Sequence, residues 1–172
     1  MMPDLARIAI AGDHHGVRLI DRIVGVLSAR GHHVVLDLAP RGGTTVDYPP
    51  LCAAVARAVA RGDADLGIIV GGSGQGEVIA CNKVRAIRAG LAYSEFSVDI
   101  SRGNNDANVM VIGTKVVDDE TALTLLDRWL ATPFKGGVHA ERIAQIARIE
   151  SGLSGAKGTR ARVPSTLRAS AR

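Results

Sequence analysis

The sequence predicts an α/β domain built on a five-stranded, mainly parallel sheet. Three observations lead there. Five short apolar runs are each followed by a segment with helical spacing, the βα alternation of a parallel sheet. The runs are continuous rather than alternating, as expected of strands covered on both faces. Right-handed crossovers then put helices on both sides of the sheet.

Local signals justify each element in turn. Residues 7–11 are a short apolar run ending in Gly12. Apolar residues at 20, 23, 24 and 27 follow at helical spacing, and Gly31 is a C-terminal stop. Residues 34–38 form the second strand. Pro49 and Pro50 open a helix with Leu51, Val55, Ala58 and Val59 on its apolar face, and Gly62 closes it. Residues 66–70 are the third strand, with a helix over about 76–83 after it. Residues 87–92 are the fourth strand, and Ser94 caps a helix over 95–102. Residues 107–112 are the fifth strand. Asp118 or Asp119 starts a helix that Thr132–Pro133 stops, and a last helix spans 138–150. No internal repeat or second domain is visible.

Composition narrows the function classes. The chain has 172 residues, 47% hydrophobic but only 3% aromatic, so Ala, Val, Ile and Leu fill the interior. No apolar run approaches the ~20 residues that span a bilayer. The N-terminus shows no basic stretch leading into an apolar one, and Cys52 and Cys81 lack metal-type spacing. A cytoplasmic protein with buried reduced thiols and no membrane contact is expected. The formal charge of +4 is uneven. Residues 151–172 hold Lys157, Arg160, Arg162, Arg168, Arg172 and no acid, leaving 16 basic and 17 acidic residues in 1–150. The expectation is therefore a near-neutral domain over 1–150 and a basic, disordered tail over 151–172. The tail has no motif and no interleaved aromatics, so no nucleic-acid partner is expected.

The most informative stretch is 66–83, LGIIVGGSGQGEVIACNK. An apolar run meets glycines at 71, 72, 74 and 76, and Glu77 follows where a helix begins. Such a turn exposes backbone N–H groups that suit an anion or a developing oxyanion. A carboxylate beside it can transfer protons. The stretch is not a P-loop, because the Lys-Ser/Thr ending is absent, and its spacing is wrong for a dinucleotide fingerprint. The plainer alternative is a tight turn with Glu77 complementing the helix dipole. Asp13 and His14 follow the first strand, at the end where ligands of such sheets bind. There Asp13 either accepts a sugar hydroxyl or caps a helix, and His14 can donate to a phosphate. Tyr48 either packs or contacts a sugar. Asn104 and Asn105 lie in a polar loop that also reads as plain Asx turns. Lys115 and Arg142 are single cations that matter only if the fold brings them to one phosphate.

Taken together, the motifs resemble the ribose-5-phosphate isomerase type B and galactose-6-phosphate isomerase family. The matching pieces are GDHHG at 12–16, DYPP at 47–50, GGSGQGE at 71–77, CNKV at 81–84, NNDANV at 104–109 and GTKVV at 113–117. They occur in family order and cover about residues 7–150. The resemblance implies a three-layer αβα Rossmann-like domain. It implies a homodimer, or a dimer of dimers, with active sites between subunits. The implied activity is aldose–ketose isomerisation of a phosphosugar through a cis-enediolate, with no metal and no cofactor. The family places its base either at a Cys, here Gly71, or at a Glu, here Glu77. Glu77 is thus the implied base, and Ser73 the group that handles the proton between O1 and O2. Asp13, His14, Tyr48, Gly72, Gly74, Gln75, Gly76, Asn104 and Asn105 are implied to hold the sugar. Lys115, Arg142 and His14 are implied to hold the phosphate.

Three departures bear on the substrate. Family members acting on cyclic sugars carry a ring-opening His where Asn104 stands, and Arg where Lys115 stands. They also carry an Arg where Val138 stands. An amide does not titrate near neutrality, so Asn104 cannot open a ring by proton transfer. A tetrose 4-phosphate has no free O4 with which to close a furanose. The expectation is therefore an erythrose 4-phosphate/erythrulose 4-phosphate isomerase. The alternatives are a ribose 5-phosphate/ribulose 5-phosphate isomerase, a galactose-6-phosphate isomerase-like chain, or a non-catalytic phosphosugar-binding partner subunit.

Overall fold

The computed structural model describes residues 5–43 and 45–152. Five strands, β1 (Arg7–Gly12), β2 (His33–Leu38), β3 (Leu66–Gly71), β4 (Ala89–Ala92) and β5 (Val109–Gly113), form one sheet in the order β2-β1-β3-β5-β4. Every pairing is parallel. The helices are α1 (Val17–Ala29), α2 (Tyr48–Ala60), α3 (Gln75–Cys81), α4 (Glu95–Val98), α5 (Asp119–Ala131) and α6 (Val138–Glu150).

The apolar strands explain the layering. Ile8, Ile10, Ile68, Val70, Met110 and Ile112 point to one face and pack with Leu19, Ile20 and Ile23 of α1 and Leu125, Leu126 and Trp129 of α5. Their neighbours Ala9, Ala11, Ile69, Val109 and Val111 point to the other face, against Cys52 and Val55 of α2 and Cys81 of α3. Successive residues of a strand face opposite sides, so both faces need apolar residues. Each fully buried Ile, Leu or Val contributes ~1.5–3 kcal/mol. The few aromatics include Trp129, which is 1% exposed and anchors α5.

The order β2-β1-β3 places the reversal of direction between β1 and β3. In open α/β sheets the crevice at such a reversal, beyond the carboxyl ends of the strands, receives ligands. The segments Asp13–Gly16 and Gly72–Gly74 leave the sheet on either side of it.

Some boundaries differ from those read in the sequence. β4 begins at Ala89 rather than 87, because Asn82 and Asn108 side chains bond the main chain at Ala89 and Arg88. β5 begins at Val109 and not 107, after Asp106 in the left-handed region at φ 46°. The helix expected over 95–102 is α-helical only to Val98, then continues as a wider π-helical turn, Asp99–Asn104. There Asn105 N–H donates to Ile100 C=O at 3.1 Å. The widened turn sets Ser101 against Gly90, where an added Cβ would lie 2.8 Å from that of Ser101. α6 forms as expected but contains no buried residue. Its one hydrogen bond to the rest of the described chain from a side chain is Glu150 accepting from Ala86 N–H at 3.0 Å. The tail expected over 151–172 lies outside the described residues, apart from Ser151 and Gly152, which close α6. Among the described residues, no helix is long and apolar enough to cross a membrane.

Candidate active site

Glu77 begins as a first-turn residue of α3, where the sequence allowed it to be a solvated dipole partner. Instead it is 4% exposed. Its carboxyl group occupies the space above the end of β3. A Cβ built on Gly71 would overlap Glu77 Oε1 and lie 2.6 Å from Cδ. A side chain at 71 and this carboxylate therefore exclude one another. Burying a carboxylate costs several kcal/mol unless it is partnered or used. Among the described residues, no side-chain hydrogen bond reaches it, so it sits over the end of β3 without a structural partner. Beneath it lie Cys52 and Cys81, where Cys81 Sγ–H donates to Cys52 C=O at 3.8 Å. The hydrogen bond with Cys81 and burial, aided by the nearby Glu77 charge, push the Cys52 thiol far up, so Cys52 stays neutral.

The glycine loop wraps this carboxylate. Gly74 adopts φ 78°, a left-handed conformation that costs other residues ~1–2 kcal/mol, and so reverses the chain into α3. Among the described residues, no protein acceptor takes the N–H of Ser73 or Gly74. Successive free N–H groups in such a turn make an anion-binding concavity. Ser73 is exposed, and its Oγ accepts from Gln75 N–H at 3.3 Å. The turn after β5 buttresses the loop. Thr114 N–H and Lys115 N–H donate to Gly71 and Gly72 C=O, each at 2.9 Å. The Lys115 side chain runs beside Gly72, with Nζ 3.7 Å from where a Cβ would stand. Tyr48, at the start of α2, sets its ring against Gly76, 2.6 Å from a Cβ there to Cζ.

The β1 side completes the crevice. Asp13 N–H donates to Val70 C=O at 3.2 Å, tying the loop after β1 to the end of β3. Asp13 is 8% exposed and does not cap α1, whose N-cap is Gly16. Its Oδ1 accepts from His15 N–H at 2.9 Å, and Oδ2 lies 3.3 Å from His15 Nδ1. His14 and His15 are exposed, with ring centroids 4.0 Å apart. One ligand atom from each of Asp13, His14 and His15 lies within 4.8 Å of the others, the geometry of a possible cation site. The positive end of α1 behind them opposes a cation there. It favours an anion instead.

Asp13 and His14 follow β1, Gly72, Ser73, Gly74, Gln75, Gly76 and Glu77 follow β3, Lys115 follows β5 and the Tyr48 ring meets Gly76, so these residues stand at the carboxyl end of the sheet. Asn104, Asn105 and Arg142 are not joined to it by any hydrogen bond or ion pair among the described residues. Asn104 and Asn105 end the π-helical turn beyond the edge strand β4, and Arg142 is exposed on α6. Sequence reasoning missed Thr114, which holds Gly71 through both its N–H and, at 3.2 Å, its Oγ1. It also missed Lys135, whose Nζ donates to Asn104 Oδ1 at 2.9 Å. Neither contact has a sequence signal, since the partners are 43 and 31 residues apart.

Comparison with known proteins gives the family. The family described as Ribose/Galactose Isomerase matches residues 8–146. Ribose-5-phosphate isomerase B of Escherichia coli (strain K12) is 39% identical over 146 residues, covering 85% of this chain and 97% of that protein. The structure of Clostridium thermocellum ribose-5-phosphate isomerase B superposes with a TM-score of 0.82 at 40% identity, covering 86% of this chain and 99% of that one. Ribose-5-phosphate isomerase B from Mycoplasma genitalium, solved with bound ribulose-5-phosphate, gives 0.80 at 35% identity, covering 84% and 96%. The chain therefore belongs to the ribose/galactose isomerase family and is a sugar phosphate isomerase.

Proposed function

We propose that the chain interconverts an aldose and a ketose phosphate through a cis-enediolate, with Glu77 as the base. The observation that carries this is the buried Glu77 carboxylate seated over Gly71. From an aldose, Glu77 takes the hydrogen on C2 as a proton. The electron pair left on C2 forms the C1–C2 double bond, and the carbonyl pair moves onto O1. The N–H groups of Ser73 and Gly74 stabilise that oxygen. Ser73 Oγ passes the O2 proton to O1. Protonated Glu77 then returns its proton to C1, leaving the carbonyl at C2. One hydrogen has moved from C2 to C1 and one from O2 to O1, and no oxidant is needed. His14 and Lys115 neutralise the phosphate. Glu77→Gln tests the assignment: kcat drops by about 10²–10⁴-fold with the fold unchanged. A variant of near-normal kcat rejects Glu77 as base.

The relatives support ribose 5-phosphate and ribulose 5-phosphate as the substrate pair, because the Escherichia coli relative bears that name and the Mycoplasma genitalium one binds ribulose-5-phosphate. Asn104 favours a second reading, a tetrose 4-phosphate pair that needs no ring opening. Comparing kcat/KM for ribulose 5-phosphate and erythrulose 4-phosphate separates the two, and a clear pentose preference removes the second. The buried base counts against a non-catalytic partner subunit.

We further propose that two copies pair so that Asn104, Asn105 and Arg142 of one reach the crevice of the other. Support comes from α6, which fully buries none of its residues and exposes Val138, Ile146 and Ile149 by 52–70%.

A further inference from the structure

Asn104 does not hang free at the end of its turn. Lys135 Nζ donates to its Oδ1 at 2.9 Å. The same lysine's N–H donates to Gly103 C=O at 2.9 Å. Its side chain runs across Gly103, where an added Cβ would meet Lys135 Cε at 3.3 Å. Backbone and side chain of residue 135 thus grip residues 103 and 104 together. An ammonium group has only donors, so the contact settles which end of the amide faces it. Oδ1 turns to Lys135, and the Nδ2 hydrogens turn outward. Among the described residues, no protein acceptor takes them.

We infer that Lys135 is a positioning residue that fixes Asn104 as a hydrogen-bond donor to an oxygen of the substrate. The pair recognises an acceptor oxygen, from the phosphate or from a hydroxyl or carbonyl group, and moves no proton. Without Lys135 the side chain is no longer held, and substrate binding must itself immobilise the amide in its donor orientation. This rests on the proposed arrival of the 104–105 loop at a neighbouring crevice.

The test compares wild type, Lys135→Ala, Lys135→Arg, Asn104→Ala and the double alanine variant, using ribulose 5-phosphate and erythrulose 4-phosphate. Lys135→Ala raises KM up to about tenfold, the scale of immobilising one side chain on binding, while kcat stays within about threefold. Lys135→Arg recovers most of the loss. The double variant is no worse than Asn104→Ala, since the lysine acts only through that amide. If neither sugar turns over, the calorimetric Kd for ribulose 5-phosphate replaces KM. Inorganic phosphate as inhibitor identifies the oxygen. Its inhibition constant rises with KM if the pair reads phosphate, and stays fixed if the pair reads a hydroxyl or carbonyl. An unchanged KM or Kd in Lys135→Ala, or multiplied losses in the double variant, overturns the inference. Failure of the Glu77 assignment shows separately, as normal kcat in Glu77→Gln.

Discussion

At the residue scale the proposed chemistry rests on two neighbouring choices, Gly71 and Glu77. The carboxylate needs the volume a side chain at 71 would take. Gly71→Ala should therefore push Glu77 off its site and lower kcat/KM at least about 100-fold, while overpacking costs ~1–3 kcal/mol. Steady-state kinetics with a thermal melt checks both, and a fully active folded variant would show that the carboxylate needs no such seat. The sequence made Glu77 a candidate through its position after the glycines. It left open whether the side chain faced solvent, because a first-turn Glu satisfies the helix dipole equally well from outside. Asp13 was similarly ambiguous. Its turn with His15, rather than a cap on α1, became visible only with the loop after β1 tied to Val70.

At the scale of elements, the start of the sheet carries a pH-dependent contact. Ala6 N–H donates to His32 Nδ1 at 3.1 Å, a bond that requires neutral imidazole. Burial, aided by the nearby Arg30 charge, lowers the His32 pKa from its usual 6.5. A depressed folded-state pKa contributes stability above pH 6.5 that is lost as pH falls through the lower value. The melting temperature should fall between pH 7 and 5, and His32→Asn, which keeps an acceptor but does not titrate, should reduce that fall. An unchanged slope in the variant would remove His32 as its source. α5 offers a packing test. Trp129→Ala should cost ~3–5 kcal/mol, read as a lowered denaturation midpoint. All five strands and the helices between them were legible because continuous apolar runs and helical spacing are local signals. The π-helical turn after α4 was not. Its extra residue per turn depends on how Ser101 meets Gly90 across the fold, which no local pattern encodes.

Over the whole molecule, the proposed site is half assembled within one chain. The β1, β3 and β5 ends hold the proposed base, the anion nest and Lys115, while the 104–105 loop and α6 make no hydrogen bond or ion pair to them among the described residues. The motifs flagged all of these residues, but spacing along one chain does not say which of them meet in space. Exposed Ile146 and Ile149 on α6 supply a test of the proposed pairing. Ile146→Glu/Ile149→Glu should convert a dimer to a monomer by light scattering and lower kcat/KM at least about tenfold. A monomer with full activity would mean that each chain completes its own site.

The central claim is that Glu77 carries a proton between two carbons beside a sheltered oxyanion. Solvent hydrogen exchange measures that step apart from product release. In D2O, wild type should place deuterium at the transferred carbon position of the phosphosugar, while Glu77→Gln, folded and still binding the sugar phosphate, should place almost none. Deuterium entering at the wild-type rate in Glu77→Gln would contradict the account.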